Sequence, residues 1–282
     1  MISVLLCTLD RPELIRNCIS SFLKQSYAKF EIIVVDQSRN EETRKCCESF
    51  GDERIYYHHV DFTGLSRARN YGLQFCTGRF ICLGDDDAEY EKDYLLHAVR
   101  FLKEKKESCI LCGRMKYTDR RETDFFDYGG NTEGQELNTA EIMRIAPSPV
   151  LILPSKPVKT IGGFDEEFGV GAVYGSGEES DVILQLMRRG VKAYFLPEMI
   201  VYHGSFEKEQ DPDPEKLYKY YIGLGALLKK NLYYRRDFSL APKFARATLG
   251  AYIKYFTGDA KQKSRYRQRI DGFWRGFRGY RS

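Results

Sequence analysis

The chain has 282 residues, 43% of them hydrophobic and 30% charged, with a formal net charge of +4. That length allows one large domain or a domain with an appendage, and that apolar fraction is enough for a sizeable core, so a disordered chain is excluded. No segment reaches the ~18 apolar residues needed to span a bilayer, so the chain reads as not integral to a membrane. The small net charge hides an asymmetry: residues 214–282 carry 17 Lys plus Arg against 4 Asp plus Glu, whereas residues 1–213 carry 27 against 36. An acidic body over 1–213 and a basic helical extension over 214–282 therefore read as separate parts with separate tasks.

In chain order, the apolar run Ile2 to Cys7 predicts a buried strand, and Pro12 with Glu13 fits the first turn of a helix. Phe30 to Asp36 predicts a second strand, Glu41 to Phe50 a polar helix, Arg54 to Val60 a third strand and Gly64 to Phe75 a helix. Phe80 to Gly84 is a further strand, ending on Asp85-Asp86-Asp87. A helix beginning near Glu91 then places Tyr94, Leu95, Ala98, Val99 and Leu102 on one face. Alternating strands and helices imply an α/β fold: a Rossmann-like, mostly parallel central sheet covered on both faces, followed by the helical extension.

The eight cysteines are scattered, with Cys7, Cys76 and Cys82 in or beside apolar segments. No secretory signal opens the sequence, and the thiols read as reduced and buried in a cytosolic protein. Cys109 and Cys112 have zinc or redox spacing, but they fall in a predicted strand and no second pair follows. The polar, aperiodic stretch from Thr118 to Asn138 is expected to be a mobile loop over an acceptor site.

Three adjacent carboxylates repel one another, and a core strand seldom ends on such a cluster unless a cation sits there. Hard oxygen ligands suit Mg²⁺ or Mn²⁺, which take further ligands from substrate phosphates. The alternative is a strand-to-helix turn in which one Asp caps the following helix. In parallel α/β sheets ligands bind beyond the carboxyl ends of the strands, and Thr8, Asp36 and Asp85 to Asp87 all fall there. Each alone could be a turn or cap residue; their convergence points to a binding crevice. Arg67, Arg69 and Asn70 lie on the intervening helix, where a guanidinium could neutralise a diphosphate or pair with nearby acids. Downstream, Gly177-Glu178-Glu179-Ser180-Asp181 opens a predicted helix, and its first-turn acids are held ionised by the helix dipole. First-turn acids also serve as ordinary caps.

These motifs resemble, in order, the family 2 glycosyltransferases of the GT-A fold, over roughly residues 2 to 204. They are Ser3-Val4-Leu5-Leu6-Cys7-Thr8 with Arg11-Pro12, Phe30 to Ser38, Ala68-Arg69-Asn70-Tyr71-Gly72, Phe80 to Asp87, Gly162-Gly163-Phe164-Asp165-Glu166, Gly177 to Asp181 and Val201-Tyr202-His203. The resemblance implies that Thr8 and Asp36 contact the nucleotide base, that Arg69 lies near the base or phosphates, and that Asp86 reaches the ribose. Asp85 and Asp87 match the ends of the family's Asp-x-Asp metal motif, with Asp87 the foremost ligand. His203 matches a position that can offer an imidazole to the metal or the diphosphate, although a lone His is also commonly structural. Glu179 falls where the family places its catalytic base, with Glu178 as the fallback.

The implied activity is an inverting, Mn²⁺- or Mg²⁺-dependent hexosyl transfer from a nucleotide-diphosphate sugar, UDP by default, to a saccharide or lipid-linked saccharide in bacterial surface-polysaccharide synthesis. Two departures bear on the nucleotide accepted. Asp10 stands where the family usually has Asn, and Asp36-Gln37-Ser38 stands where many members read Asp-Asp-Gly-Ser. The alternative is a non-catalytic scaffold that keeps the nucleotide-sugar site and recruits partners through its basic tail.

From Glu215 onward helical patterns are broken near Pro242 and Gly258, and the segment holds 15 of the 39 aromatic residues. Basic residues interleaved with Tyr, Phe and Trp suit an anionic membrane surface, giving a cytoplasmic protein peripheral on the inner face of the membrane. Helices packed on the body with a solvated basic face would give the same composition, and no nucleic-acid module is present, so no nucleic-acid partner is expected.

Overall fold

The computed structural model describes residues 1–129, 133–207 and 213–281. The chain forms two compact units. The first comprises Met1–Thr63, Arg67–Phe164 and Val182–Glu209, and the second Gly64–Ser66, Asp165–Asp181 and Gln210–Ser282. The second unit thus takes in two short segments that precede the basic extension in sequence.

The first unit is built on one sheet of nine strands among the described residues: β1 (Ile2–Thr8), β2 (Phe30–Asp36), β3 (Ile55–His59), β4 (Phe80–Asp85), β5 (Glu89–Tyr90), β6 (Ile110–Lys116), β7 (Gln135–Leu137), β8 (Leu151–Pro154) and β9 (Ala193–Tyr202). Their order is β3-β2-β1-β4-β8-β6-β9-β5, with β7 also on β9. The stretch β3-β2-β1-β4 is parallel, as the apolar runs predict. Every residue of β1 and β2 is buried, which is why these strands read as unbroken hydrophobic segments and not as alternating ones. Beyond β4 the sheet becomes mixed. β8 runs antiparallel to both β4 and β6, β6 pairs parallel with β9, and β5 and β7 pair antiparallel with β9. The expected mostly parallel sheet is present, with its antiparallel pairings confined to short ladders.

The helices of the body are α1 (Pro12–Leu23), α2 (Glu42–Glu48), α3 (Leu65–Leu73), α4 (Tyr94–Lys105), α5 (Thr139–Ile145), α6 (Ser155–Thr160) and α7 (Glu178–Arg188). α1 starts on Pro12, which has no N–H to leave unsatisfied in a first turn, and it buries Ile15, Cys18, Ile19 and Phe22 at helical spacing. The stretch from Thr118 to Asn138, expected to be a loop, contains β7 and a β-bridge between Lys116 and Asp124. Tyr128 is buried and stacks on Phe195 at 5.0 Å, because aromatic surface there is worth more against the sheet than in water. The Gly129-Gly130 pair falls partly outside the described residues.

The second unit carries α8 (Pro214–Lys229), a π-helical turn (Lys230–Tyr234), α9 (Ala241–Thr257) and α10 (Ala260–Gly279). α8 and α10 cross in close contact through glycines. A Cβ on Gly225 would lie 1.9 Å from the Phe273 carbonyl oxygen, and one on Gly276 would lie 1.9 Å from that of Ile222. Pro242 sits in the first turn of α9, and Gly258 ends it, so both breaks expected from the sequence are helix boundaries.

Candidate active site

The geometry of the crevice follows from strand register. In the parallel ladder Thr8 is level with Asp36, and Cys7 is level with Asp85. Thr8 therefore stands beside the residue after Asp85, and its Oγ1 donates to Asp86 Oδ2 at 2.6 Å. The turn that follows is closed by the Ala88 N–H donating to the Asp85 carbonyl, and the chain goes straight into β5. Because α4 begins only at Tyr94, none of the three aspartates caps a helix, and the capping-turn alternative fails. β5 pairs antiparallel with β9, Glu89 opposite Tyr202, which brings the residue after β9 back to the acidic turn. His203 Nε2 lies 3.0 Å from Asp87 Oδ1.

Asp85, Asp87 and His203 each offer a ligand atom, and these atoms lie within 4.8 Å of one another. Two hard carboxylate oxygens and an imidazole nitrogen, all on partly exposed side chains, fit a Mn²⁺- or Mg²⁺-sized cation with room for further oxygen ligands. Among the described residues no other His, Cys, Asp and Glu group has such spacing, and the Cys109 and Cys112 pair is buried as free thiols.

The three aspartates are not equivalent. Asp85 Oδ1 is met by Arg69 Nη2 at 3.3 Å, and that guanidinium is only 1% exposed. Arg69, expected near the nucleotide, is thus buried behind the acid and orients Asp85. Asp86 is nearly covered, and burial pushes its carboxyl above the usual range, with the Asp87 charge adding to the rise and Thr8 and Arg11 opposing it. Burial acts the same way on Asp87, but the hydrogen bond and charge of His203, helped by Arg11, outweigh it and hold Asp87 below the usual range. Arg11 had no role in the reading of the sequence. Its Nη1 lies 3.2 Å from Asp86 and 3.7 Å from Asp87, so two guanidiniums and an imidazole offset the repulsion within the triplet. Its position three residues past the end of β1 was the available signal.

Asp36 is fully buried; its Oδ1 accepts from the Ser38 N–H at 2.9 Å and its Oδ2 from the Tyr57 hydroxyl at 2.7 Å. Tyr57 is a further residue that the sequence did not single out, and Ser38 belongs to the Asp36-Gln37-Ser38 departure noted there. The Ser38 hydroxyl accepts from the Asp10 N–H at 2.7 Å, and the Ser38 carbonyl lies 2.9 Å from His59 Nε2.

Two of the sequence motifs meet on α3. Asn70 Nδ2 donates to the Phe164 carbonyl and its Oδ1 accepts from the Phe164 N–H, both at 2.8 Å. Gly163 has φ +79°, and a Cβ there would sit 2.5 Å from Asn70 Oδ1, so glycine is required for the clamp. Arg69 lies over the Phe164 ring at 5.4 Å. This pair of motifs fastens a loop beside Arg69.

In the second unit, α7 opens with Glu178, Glu179 and Asp181. Glu178 is buried and Glu179 half-buried. Asp181 is wholly buried and takes Lys230 Nζ at 2.9 Å and Arg235 Nη1 at 2.5 Å. Glu179 and Glu178 both bear on Tyr220, a half-exposed residue whose hydroxyl is raised above its usual pKa by loss of hydration and by these charges.

Several solved structures share this architecture. S. aureus TarS 1-349 in complex with UDP-GlcNAc has a TM-score of 0.62 and 18% identity, covering 96% of this chain and 89% of that one. The mannosyltransferase PcManGT from Pyrobaculum calidifontis, in complex with GDP-Man and Mn2+, has a TM-score of 0.61 and 15% identity, covering 97% of this chain and 84% of that one. The fold is accordingly of the GT-A type. Among sequence relatives, a PGL/p-HBAD biosynthesis glycosyltransferase of Mycobacterium tuberculosis (strain ATCC 25177 / H37Ra) is 30% identical over 133 residues, 45% of this chain and 52% of the relative. Glycosyltransferase GlyA of Streptococcus pneumoniae is 32% identical over 96 residues, 33% of this chain and 14% of the relative. The match thus spans about half the length of the mycobacterial relative and far less of GlyA. Residues 3–153, more than half of the chain, match the profile described as Glycosyl transferase family 2, and the chain belongs to that family.

Proposed function

We propose that this chain transfers a hexosyl group from a nucleoside-diphosphate sugar, with uridine as the default base, to a hydroxyl of a saccharide or lipid-linked saccharide in surface-polysaccharide assembly, with inversion at the anomeric carbon. In this reading residues 1–213 are the transferase domain and 214–282 a helical extension. The observation that carries it is the Asp85, Asp87 and His203 cluster at the strand ends beside Thr8 and Asp86. TarS was solved with UDP and with UDP-GlcNAc, which favours uridine, whereas PcManGT was solved with GDP-Man and Mn2+.

A divalent cation held by Asp85, Asp87 and His203 would stabilise the charge that develops on the departing diphosphate. Thr8 and Asp86 hold the nucleoside, Asp36 shapes its base end through Ser38 and Tyr57, and Arg69 keeps Asp85 in place. Glu179 takes the acceptor hydroxyl proton as the acceptor oxygen bonds to the anomeric carbon, and the bond to the diphosphate breaks with its electron pair leaving on the phosphate oxygen. The half-buried position of Glu179 favours it over the covered Glu178 as the base. A single displacement of this kind inverts the anomeric centre.

Calorimetric titration of the full chain with UDP and with GDP, each with and without Mn²⁺, tests the donor side. Metal-dependent binding of one nucleotide is the expected result. No heat from either nucleotide with metal present would sink the reading.

A further inference from the structure

Helix α9 has two apolar faces, and only one of them is used. Phe244 is buried and stacks on Phe273 of α10 at 5.9 Å, and Tyr252 accepts a hydrogen bond from the Trp274 indole N–H at 3.0 Å. Those contacts satisfy the inner face. At about 100° per residue, Leu249, Ile253 and Phe256 fall within about 60° of one another, on the side of the helix away from Phe244. They are 62%, 52% and 71% exposed. Scattered exposed apolar residues are ordinary on a protein surface. Three large ones in a single helical stripe, on a helix whose packing face is already filled, are not.

Cations outnumber acids around the stripe, with Asp237 before α9 and exposed Asp259 just after it as the nearest acids in sequence. No Asp or Glu occurs between Ala241 and Thr257, and exposed Arg246 and Lys254 lie on the same helix. Exposed Lys261, Lys263 and Arg267 follow on α10. Phe238, 67% exposed, comes shortly before α9 after Arg236 and Asp237. No helix among the described residues is long and apolar enough to cross a bilayer. A short apolar stripe on a helix without acids, bordered mainly by cations, is complementary to the headgroup boundary of an anionic bilayer, where rings and aliphatic groups sit among acyl chains and Lys or Arg meets phosphate.

We propose that α9 is a membrane-docking helix that lies in the plane of an anionic lipid surface and inserts Leu249, Ile253 and Phe256. This assigns the membrane contact to one helix face, and it stands independently of the transferase reading, since it uses none of the residues given catalytic or binding roles there.

Flotation of the full chain with vesicles of phosphatidylcholine alone, and of phosphatidylcholine mixed one-to-one with phosphatidylglycerol, tests it. Binding to the anionic vesicles, weakened by salt and by omission of phosphatidylglycerol, is expected. The triple variant Leu249→Ser, Ile253→Ser, Phe256→Ser should lose about tenfold or more of that partition, because the apolar surface that would leave water is removed. Phe256→Ser alone serves if the triple variant does not fold, and an unchanged thermal melt and nucleotide titration certify the fold. Failure of the native chain to float with anionic vesicles at low salt overturns the proposal. So does undiminished flotation of the stripe variants, which would leave the basic residues alone responsible. A dimer in sedimentation that the stripe variants abolish, without vesicle binding by the native chain, would make the face a contact between copies and would equally overturn it.

Discussion

Lys230 Nζ donates to Asp181 Oδ2 at 2.9 Å and to Asp165 Oδ2 at 2.5 Å, so one ammonium on a π-helical turn holds the two carboxylates that end the Asp165–Asp181 segment of the second unit. Asp181 is wholly buried, and Arg235 binds its other oxygen. Removing one partner of a buried ion group leaves charge uncompensated, which typically costs about 3–5 kcal/mol. Lys230→Met is therefore expected to lower the stability of the second unit by that order, read as a shift in the urea midpoint. Adding Asp181→Asn should recover part of the loss. A shift below about 1 kcal/mol would show that the pair is exposed to solvent in solution.

Asp87 lies 3.0 Å from His203, whose hydrogen bond and charge hold its carboxyl below the usual range. Asp87→Ala should abolish transfer and weaken metal-dependent nucleotide binding, with nucleotide binding in the absence of metal little changed. His203→Ala should act in the same direction with a smaller effect, since it removes one ligand and leaves both carboxylates. Titration with UDP and Mn²⁺ reads both. Equal nucleotide affinity with and without metal in native chain and variants alike would remove the metal role of this cluster.

Much of this centre was legible in the sequence because β1, β2 and β4 are buried on both faces and so appear as continuous apolar runs ending in polar residues. The other half of the sheet was not. β5 has two residues, β7 three and β8 four, too few for any periodicity, and their pairing is decided by β6 and β9. Depth was equally invisible: the sequence offers Arg69 as a cation but cannot tell that it is 1% exposed and bound behind Asp85. The same holds for Asp181, whose cationic partners are 49 and 54 residues away.

Glu179 and Glu178 differ in accessibility on the first turn of α7, and that difference yields a paired prediction. Glu179→Gln should lower kcat by about 10²- to 10⁴-fold, the usual contribution of a positioned base, while sparing nucleotide and metal binding. Glu178→Gln should act chiefly on stability, because its side chain is covered. Activity measured as nucleoside diphosphate release separates the two. Full activity in Glu179→Gln would transfer the base role away from it.

The eight free cysteines are all buried, and burial raises each thiol that bears on pH behaviour. Cys7, Cys47, Cys76 and Cys109 are pushed from 9.0 up to about 12, chiefly by loss of hydration. Since only the thiolate reacts, the native chain should be silent to a disulfide reagent at pH 8 and should titrate all eight thiols once denatured. The linkage has a definite sign. Above pH 9 the unfolded chain releases thiol protons that the folded chain retains, so the folded state binds more protons and stability falls as pH rises. This contribution is fully present below the unfolded thiol value of 9.0 and is lost as pH climbs towards about 12. Thermal melts from pH 7 upward should accordingly hold steady to about pH 9 and then decline, and Cys76→Ala should flatten that decline. Rapid labelling of several thiols in the native chain at pH 8 would show that these segments open in solution and would defeat the prediction.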